Sequence, residues 1–111
     1  MTNKLPALVA TDDEALLQLL MALLGPIGLS VKGVSLKLMK RLPVHSYALI
    51  IIDGNVPVEF MPHSGAMVVI DPSDDIESYD HGADLVMHKP LAANVLLARV
   101  RSVLRRYGEV L

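Results

Sequence analysis

The stretch Tyr47-Ala-Leu-Ile-Ile-Ile-Asp53-Gly-Asn-Val-Pro57 constrains the fold more than any other part of the chain. An unbroken apolar run, rich in β-branched Ile, reads as a strand buried on both faces. It ends on a carboxylate, and Gly54, Asn55 and Pro57 then turn the backbone away. A charge at the end of a buried strand is costly without a partner or a task. In open parallel α/β sheets the carboxyl edge is where ligands bind. Asp53 is therefore the first candidate functional group, and an ordinary turn Asp is the plain alternative.

The chain has 111 residues, which suits one compact domain, and 52% are hydrophobic, enough for a core without staples. Cysteine is absent. That excludes disulfides, thiolate metal sites and cysteine catalysis, and it fits a reducing cytoplasm. The apolar runs fall well short of the about 18 residues a membrane helix needs, and no signal-peptide pattern occurs. The expectation is a cytoplasmic protein with no membrane contact. A net charge of −2 argues against nucleic-acid binding by the domain as a whole.

Charge is unevenly spread. Asp71, Asp74, Asp75, Glu77, Asp80 and Asp84 form an acidic segment, and Arg99, Arg101, Arg105 and Arg106 a basic one. These read as a solvated loop and a helix whose arginines suit its C-terminal dipole. A sharper alternative is that the two segments meet, within one subunit or across a dimer.

Strands are expected at Leu8–Ala10, Leu29–Val34, Ala48–Ile52, Ala66–Ile70 and Leu85–Met87. Between them lie a leucine-rich helix ending at Gly25-Pro26 and a short helix from Leu36 to Leu42. At most two helical turns follow from Ser73 to Tyr79, and a final helix runs from Asn94 to Arg106. Thr11 or Asp12 is expected to cap the first helix. The alternation implies βαβ units and a parallel sheet, with right-handed crossovers.

These residues resemble the CheY-like receiver domain of response regulators. Asp53-Gly-Asn-Val-Pro57 matches the phosphoacceptor motif D-x-x-x-P. His81-Gly-Ala-Asp-Leu-Val-Met-His-Lys-Pro-Leu91 matches A-G-A-D-D-Y-L-x-K-P-F without a gap. Val95 to Arg106 looks like the last helix of receivers in the OmpR/PhoB branch. The resemblance covers nearly the whole chain. It implies a flavodoxin/CheY-like, doubly wound, five-stranded parallel sheet in the order 2-1-3-4-5. Residues 1–106 would form the receiver domain. Residues 107–111 would open a linker to a C-terminal effector domain, through which alone DNA would be contacted.

The resemblance also assigns site residues. Asp53 falls on the phosphoacceptor, and Lys89, followed by a proline bond that is often cis in the family, on the phosphate-pairing lysine. Asn55 falls where a backbone carbonyl meets Mg²⁺. An ungapped alignment puts Thr11 and Asp12 on the family's acidic metal-binding pair, with Asp13 one place later. The implied Mg²⁺ ligands are Asp12, Asp53 and Asn55, with Asp13 or Asp71 as further candidates. Asp71 stands where receivers carry a switch Thr or Ser, and Val86 where they carry a switch aromatic. Only eighteen positions separate Asp53 from Asp71, roughly ten fewer than a full helical crossover requires. The third helix is therefore expected to be missing or very short, and the fourth shortened.

Those departures weaken phosphorylation. Thr11 removes one carboxylate from a site for a hard cation. At about 5 Å and an effective dielectric near 20, Asp71 would cost on the order of 3 kcal/mol per unit of phosphoryl charge. The hydroxyl it replaces would donate a hydrogen bond worth about 1.5–3 kcal/mol. Alternatively, Asp71 completes the metal site or pairs with Lys89. Clustering of Asp12, Asp53 and Asp71 would raise at least one carboxyl pKa.

The reading that results is an atypical receiver. It would serve as a regulatory and dimerisation module for an attached DNA-binding transcription regulator, with phosphorylation weak or not required. The expected homodimer uses the face of Leu85, Val95 and Arg99; in the OmpR/PhoB branch the residue at Arg99 makes an intersubunit salt bridge, and its acidic partner position is Leu85 here. One alternative is a working phosphoreceiver that takes phosphate on Asp53 from a histidine kinase. Another is a ligand- or protein-binding module whose sheet face, with Phe60, Met61 and Met67, is opened by loss of the third helix. No enzymatic activity is expected. His45, His63, His81 and His88 lack ligand spacing and read as solvated, and neither a nucleophile elbow nor a phosphate-binding Gly loop occurs.

Overall fold

The structure is a computed structural model that describes residues 4–39, 41, 46–57 and 65–109. Five parallel strands form one sheet in the order β2-β1-β3-β4-β5. They are β1 (Leu5–Ala10), β2 (Leu29–Val34), β3 (Leu49–Asp53), β4 (Ala66–Ile70) and β5 (Leu85–Met87). Four α-helices lie among the described residues: α1 (Glu14–Leu24), α2 (Leu36–Met39), α3 (Asp75–Asp80) and α4 (Ala93–Arg106). This is the doubly wound flavodoxin/CheY-like architecture expected.

The β-branched run folds as anticipated. Leu49 to Ile52 are fully buried, as is all of β4, because central parallel strands are covered on both faces. Alternate side chains feed two cores. One holds Val9, Ile51, Val68 and Ile70 with Leu16, Leu20 and Leu24 of α1 and Leu96, Val100 and Leu104 of α4. The other holds Leu8, Ala10, Ile50, Ile52, Met67 and Val69 with Met39 of α2. Leucines four apart on α1 make one buried stripe. The α4 stripe follows the same logic over fourteen residues.

Several expectations need correction. β1 starts at Leu5, not Leu8, because its first residues pair with β2 from Leu29 onward. The cap of α1 is Asp13, not Thr11 or Asp12. Its carboxylate accepts from the Ala15 and Leu16 N–H groups at 3.0 and 3.2 Å. The second core is not laid open: Met67 and its neighbours on that face are fully buried. Phe60 and Met61, and the expected loss of the third helix between Asp53 and Ala66, lie outside the described residues. So does the expected end of α2 beyond Met39, apart from Arg41. The shortened helix before β5 is found, with six residues in α3.

Gly65 allows β4 to start tightly against the approach to β3. A Cβ there would collide with the Tyr47 carbonyl oxygen and come within 2.8 Å of that of Ala48.

Candidate functional site

Register brings the candidate residues to one edge. Ala10 lies beside Ile52, Asp53 beside Ile70, and Ile70 beside Met87. One step further along the strands, Thr11, Asp53, Asp71 and His88 emerge at the carboxyl edge of the sheet. Lys89 follows, with a cis bond to Pro90.

Asp53 is held by two partners. The buried Thr11 hydroxyl donates to Oδ2 at 2.7 Å. The Lys89 ammonium lies 3.2 Å from Oδ1. The Asp53 side chain is only 14% exposed, while that of Lys89 is 39% exposed. Thr11 Oγ1 also accepts from the Asp13 N–H at 2.9 Å. One threonine thus joins the strand-end carboxylate to the cap of α1.

The other acidic and amide candidates turn elsewhere. Asp12 Oδ1 accepts from the Leu36 N–H at 3.3 Å, at the start of α2. Asp13 is committed to its cap. Asn55 Oδ1 accepts from the Ser73 N–H at 2.8 Å and the Ser73 hydroxyl at 3.1 Å, tying the turn after β3 to the turn after β4. Asp71 has φ 47, a left-handed conformation that Asp tolerates through local hydrogen bonds. Its Oδ1 accepts from the Lys89 backbone N–H at 3.1 Å and lies 3.0 Å from His88 Nδ1. The pairing foreseen between Asp71 and Lys89 is therefore made through the backbone, while the Lys89 ammonium serves Asp53.

The expected upward shift from carboxylate clustering does not apply to Asp71. The Lys89 N–H holds its pKa below the ordinary carboxylate value, and the bond and charge of His88 and the charge of Lys89 add to this, outweighing desolvation. Among the described residues no group of three His or acidic side chains is arranged to hold a metal ion. As folded, the Asp53 oxygens face Thr11 and Lys89, and Asp12 Oδ1 faces the Leu36 N–H.

His88 is not simply solvated. Nδ1 faces Asp71 at 3.0 Å, and Nε2 faces Asp75 on α3 at 2.9 Å. The Asp75 and Asp71 hydrogen bonds, with both carboxylate charges, raise its pKa above the ordinary value. The sequence signal was its place one residue past β5, beside the acidic segment one strand away.

Val86 is buried, and its N–H donates to Tyr79 Oη of α3 at 3.1 Å. Tyr79 thus supplies an aromatic contact to the strand that lacks one at Val86. On the expected dimer face Leu85 is half-buried, Arg99 exposed and Val95 40% exposed; on α3, Ile76 is 74% and Tyr79 48% exposed. Among the described residues, no ion pair joins the acidic segment to the arginines of α4. Asp84 instead accepts from the Met67 N–H at 2.8 Å and from the Tyr107 hydroxyl at 2.9 Å. Sequence reasoning missed this tie between β4 and the end of α4. A cavity of about 800 Å³ lies between α2 and α3, with Leu36, Met39, Val56 and Pro57 on its apolar side and Arg41 and Glu77 among its charged lining.

No protein-family model matches the chain, and no curated protein is similar to it in sequence. Solved structures are similar in fold. A CheY-like response regulator receiver domain protein from Methanospirillum hungatei superposes with a TM-score of 0.75 at 18% identity, covering 96% of this chain and 98% of that one. The receiver domain of a signal transduction histidine kinase from Syntrophus aciditrophicus gives 0.70 at 20% identity, covering 96% and 95%. Full-length FixJ from B. japonicum gives 0.75 at 21% identity, covering 96% of this chain and 60% of that one. The fold is that of response-regulator receiver domains.

Proposed function

We propose that this chain is an atypical receiver domain that works as a regulatory and dimerisation module for a DNA-binding transcription regulator, without requiring phosphorylation. One observation carries the reading. Asp53, the residue at the phosphoacceptor position, has both carboxylate oxygens engaged within the protein, by Thr11 and Lys89. A phosphoryl group bonded to one of these oxygens would have to displace the contact there, and on this reading its charge lacks the second carboxylate that would help hold a cation. Mg²⁺ binding is weak at best on this reading, and the chain has no catalytic activity of its own.

Exposed Val95 and Arg99 on α4, with half-buried Leu85 on β5 and exposed Ile76 and Tyr79 on α3, support self-association through these elements. No helix among the described residues is long and apolar enough to cross a membrane, which accords with the cytoplasmic location we propose. The cavity between α2 and α3 supports a second reading, a ligand- or protein-binding module at that place rather than on an opened sheet face.

The test is an NMR titration with Mg²⁺ and beryllofluoride on wild type and Asp53→Ala. The proposal expects no shift at the carboxyl edge in either protein. Shifts at Asp53, Thr11 and Lys89 that vanish in Asp53→Ala would make the chain a phosphoreceiver served by a histidine kinase. Shifts lining the cavity on addition of a ligand would favour the second reading.

A further inference from the structure

We propose that His88, Asp71 and Asp75 form a proton-operated clamp that fastens α3 to the segment joining β5 and α4. The geometry carries the inference. Nδ1 lies 3.0 Å from Asp71 Oδ1, and Nε2 lies 2.9 Å from Asp75 Oδ2. Both partners are carboxylates, which only accept when ionised. A neutral imidazole donates from one nitrogen alone, whereas imidazolium donates from both. The two bonds therefore coexist only when His88 is protonated. Loss of that proton leaves one nitrogen lone pair facing a carboxylate oxygen, and one side of the bridge opens.

The three residues come from three separate places. Asp71 follows β4, Asp75 begins α3, and His88 follows β5. Asp71 is anchored independently, through the Lys89 N–H at 3.1 Å. Asp75, the first residue of α3, is the arm of the bridge that belongs to the helix. α3 has six residues, and only Ser78 of them is buried. A helix so short and so exposed depends on its few tertiary ties. Among them is the Tyr79 hydroxyl, which accepts from the Val86 N–H; the Asp74 cap, accepting from the Glu77 N–H at 3.1 Å, supports the helix locally.

Other charged groups lie nearby and do not substitute for His88. Lys89 directs its ammonium to Asp53. Asp74 is taken by its cap. Glu77 and Asp80 are exposed acids on α3, and His81 is the C-terminal cap of that helix, donating its backbone N–H to Glu77. The carboxylates of Asp71 and Asp75, one at each ring nitrogen, favour the protonated ring. Closed, the clamp holds the helix that presents Ile76 and Tyr79 and that lines the cavity with Glu77 and Ser78. The inference does not depend on dimerisation or on phosphorylation.

The experiment is NMR across the pH range on the whole chain, following the His88 imidazole and amide exchange in α3, corrected for its intrinsic pH dependence. Wild type, His88→Gln and Asp75→Asn are compared, and the strand amides report that each variant folds. The expected result is a His88 midpoint above that of a free histidine. Protection of the α3 amides should fall several-fold as pH rises through the same midpoint. Asp75→Asn should lower the midpoint, and both variants should lose the pH response of α3. A His88 that titrates like a free histidine, or α3 protection indifferent to it, would overturn the proposal. So would a response that persists in His88→Gln, since His81 or another group would then drive it.

Discussion

The Thr11 hydroxyl donates to Asp53 Oδ2 at 2.7 Å, and the two residues lie 42 positions apart in the chain. This contact joins the ends of two adjacent parallel strands. It also places a neutral donor where the resemblance to receivers calls for a second carboxylate. With Lys89 on the other oxygen, Asp53 is satisfied by a hydroxyl and an ammonium from its own chain.

Replacing Thr11 with Val keeps the shape and removes the hydroxyl. A hydrogen bond to a charged, largely buried group is worth about 1.5–3 kcal/mol, so Thr11→Val should destabilise by that amount in urea denaturation. Thr11→Ser should retain most of it. Equal stability of all three proteins would mean the bond contributes nothing.

Two glycines provide a contrast in packing. Gly65→Ala drives a methyl group into the backbone carbonyls of Tyr47 and Ala48, which cannot step aside without moving the entry to β3. A loss of about 1–3 kcal/mol is expected. Gly33→Ala meets the side chain of Leu17 and no backbone atom among its nearest contacts, so its cost should be smaller. Thermal unfolding of the two variants, side by side, reads the order directly.

Stability should depend on pH through His88 and Asp71 with opposite signs. The folded pKa of His88 is raised, so its contribution is complete below its unfolded pKa and is lost as pH rises through the folded value. The folded pKa of Asp71 is lowered, so its contribution is complete above its unfolded pKa and is lost as pH falls through the folded value. Midpoints of thermal unfolding against pH should decline on both sides of a plateau. His88→Gln should flatten the alkaline decline that begins near neutrality and leave much of the acid one.

Tyr107 ties the end of α4 to Asp84. Tyr107→Phe should cost about 0.5–1 kcal/mol, at the low end because the residue is 41% exposed. Burial, followed by the Asp84 hydrogen bond and charge, raises the tyrosine pKa. The stabilisation is thus present below the unfolded tyrosine pKa and lost as pH rises through the folded one. Ultraviolet titration should show one tyrosine ionising late in wild type and absent in Tyr107→Phe.

The sheet was legible because its signal is local. Five apolar stretches, each closed by a polar turn, give the strands, and the β-branched run to Asp53 marks a centre strand. The meeting of Asp53 and Lys89 was implied by the resemblance to receivers, whose motifs stand at these strand ends. Side-chain direction was not legible. Asp71 sits at the expected strand end, but its left-handed backbone turns it to the Lys89 N–H and His88. Nothing local announces such a turn. His88 looked isolated because its partners lie 17 and 13 positions away, and only the pairing of β4 with β5 brings them close. The Asp13 cap is a third case. Thr11 or Asp12 was expected as the cap, whereas Asp13 takes that place while Thr11 donates to Asp53 and Asp12 accepts from Leu36.

The central claim is that association does not wait for phosphorylation. Sedimentation velocity of the chain, with and without Mg²⁺ and beryllofluoride, tests it most directly. The account predicts a homodimer in both conditions, with the same sedimentation coefficient, that Val95→Asp weakens. A monomer that dimerises only when Mg²⁺ and beryllofluoride are added, or one that stays monomeric in both at high concentration, would contradict it.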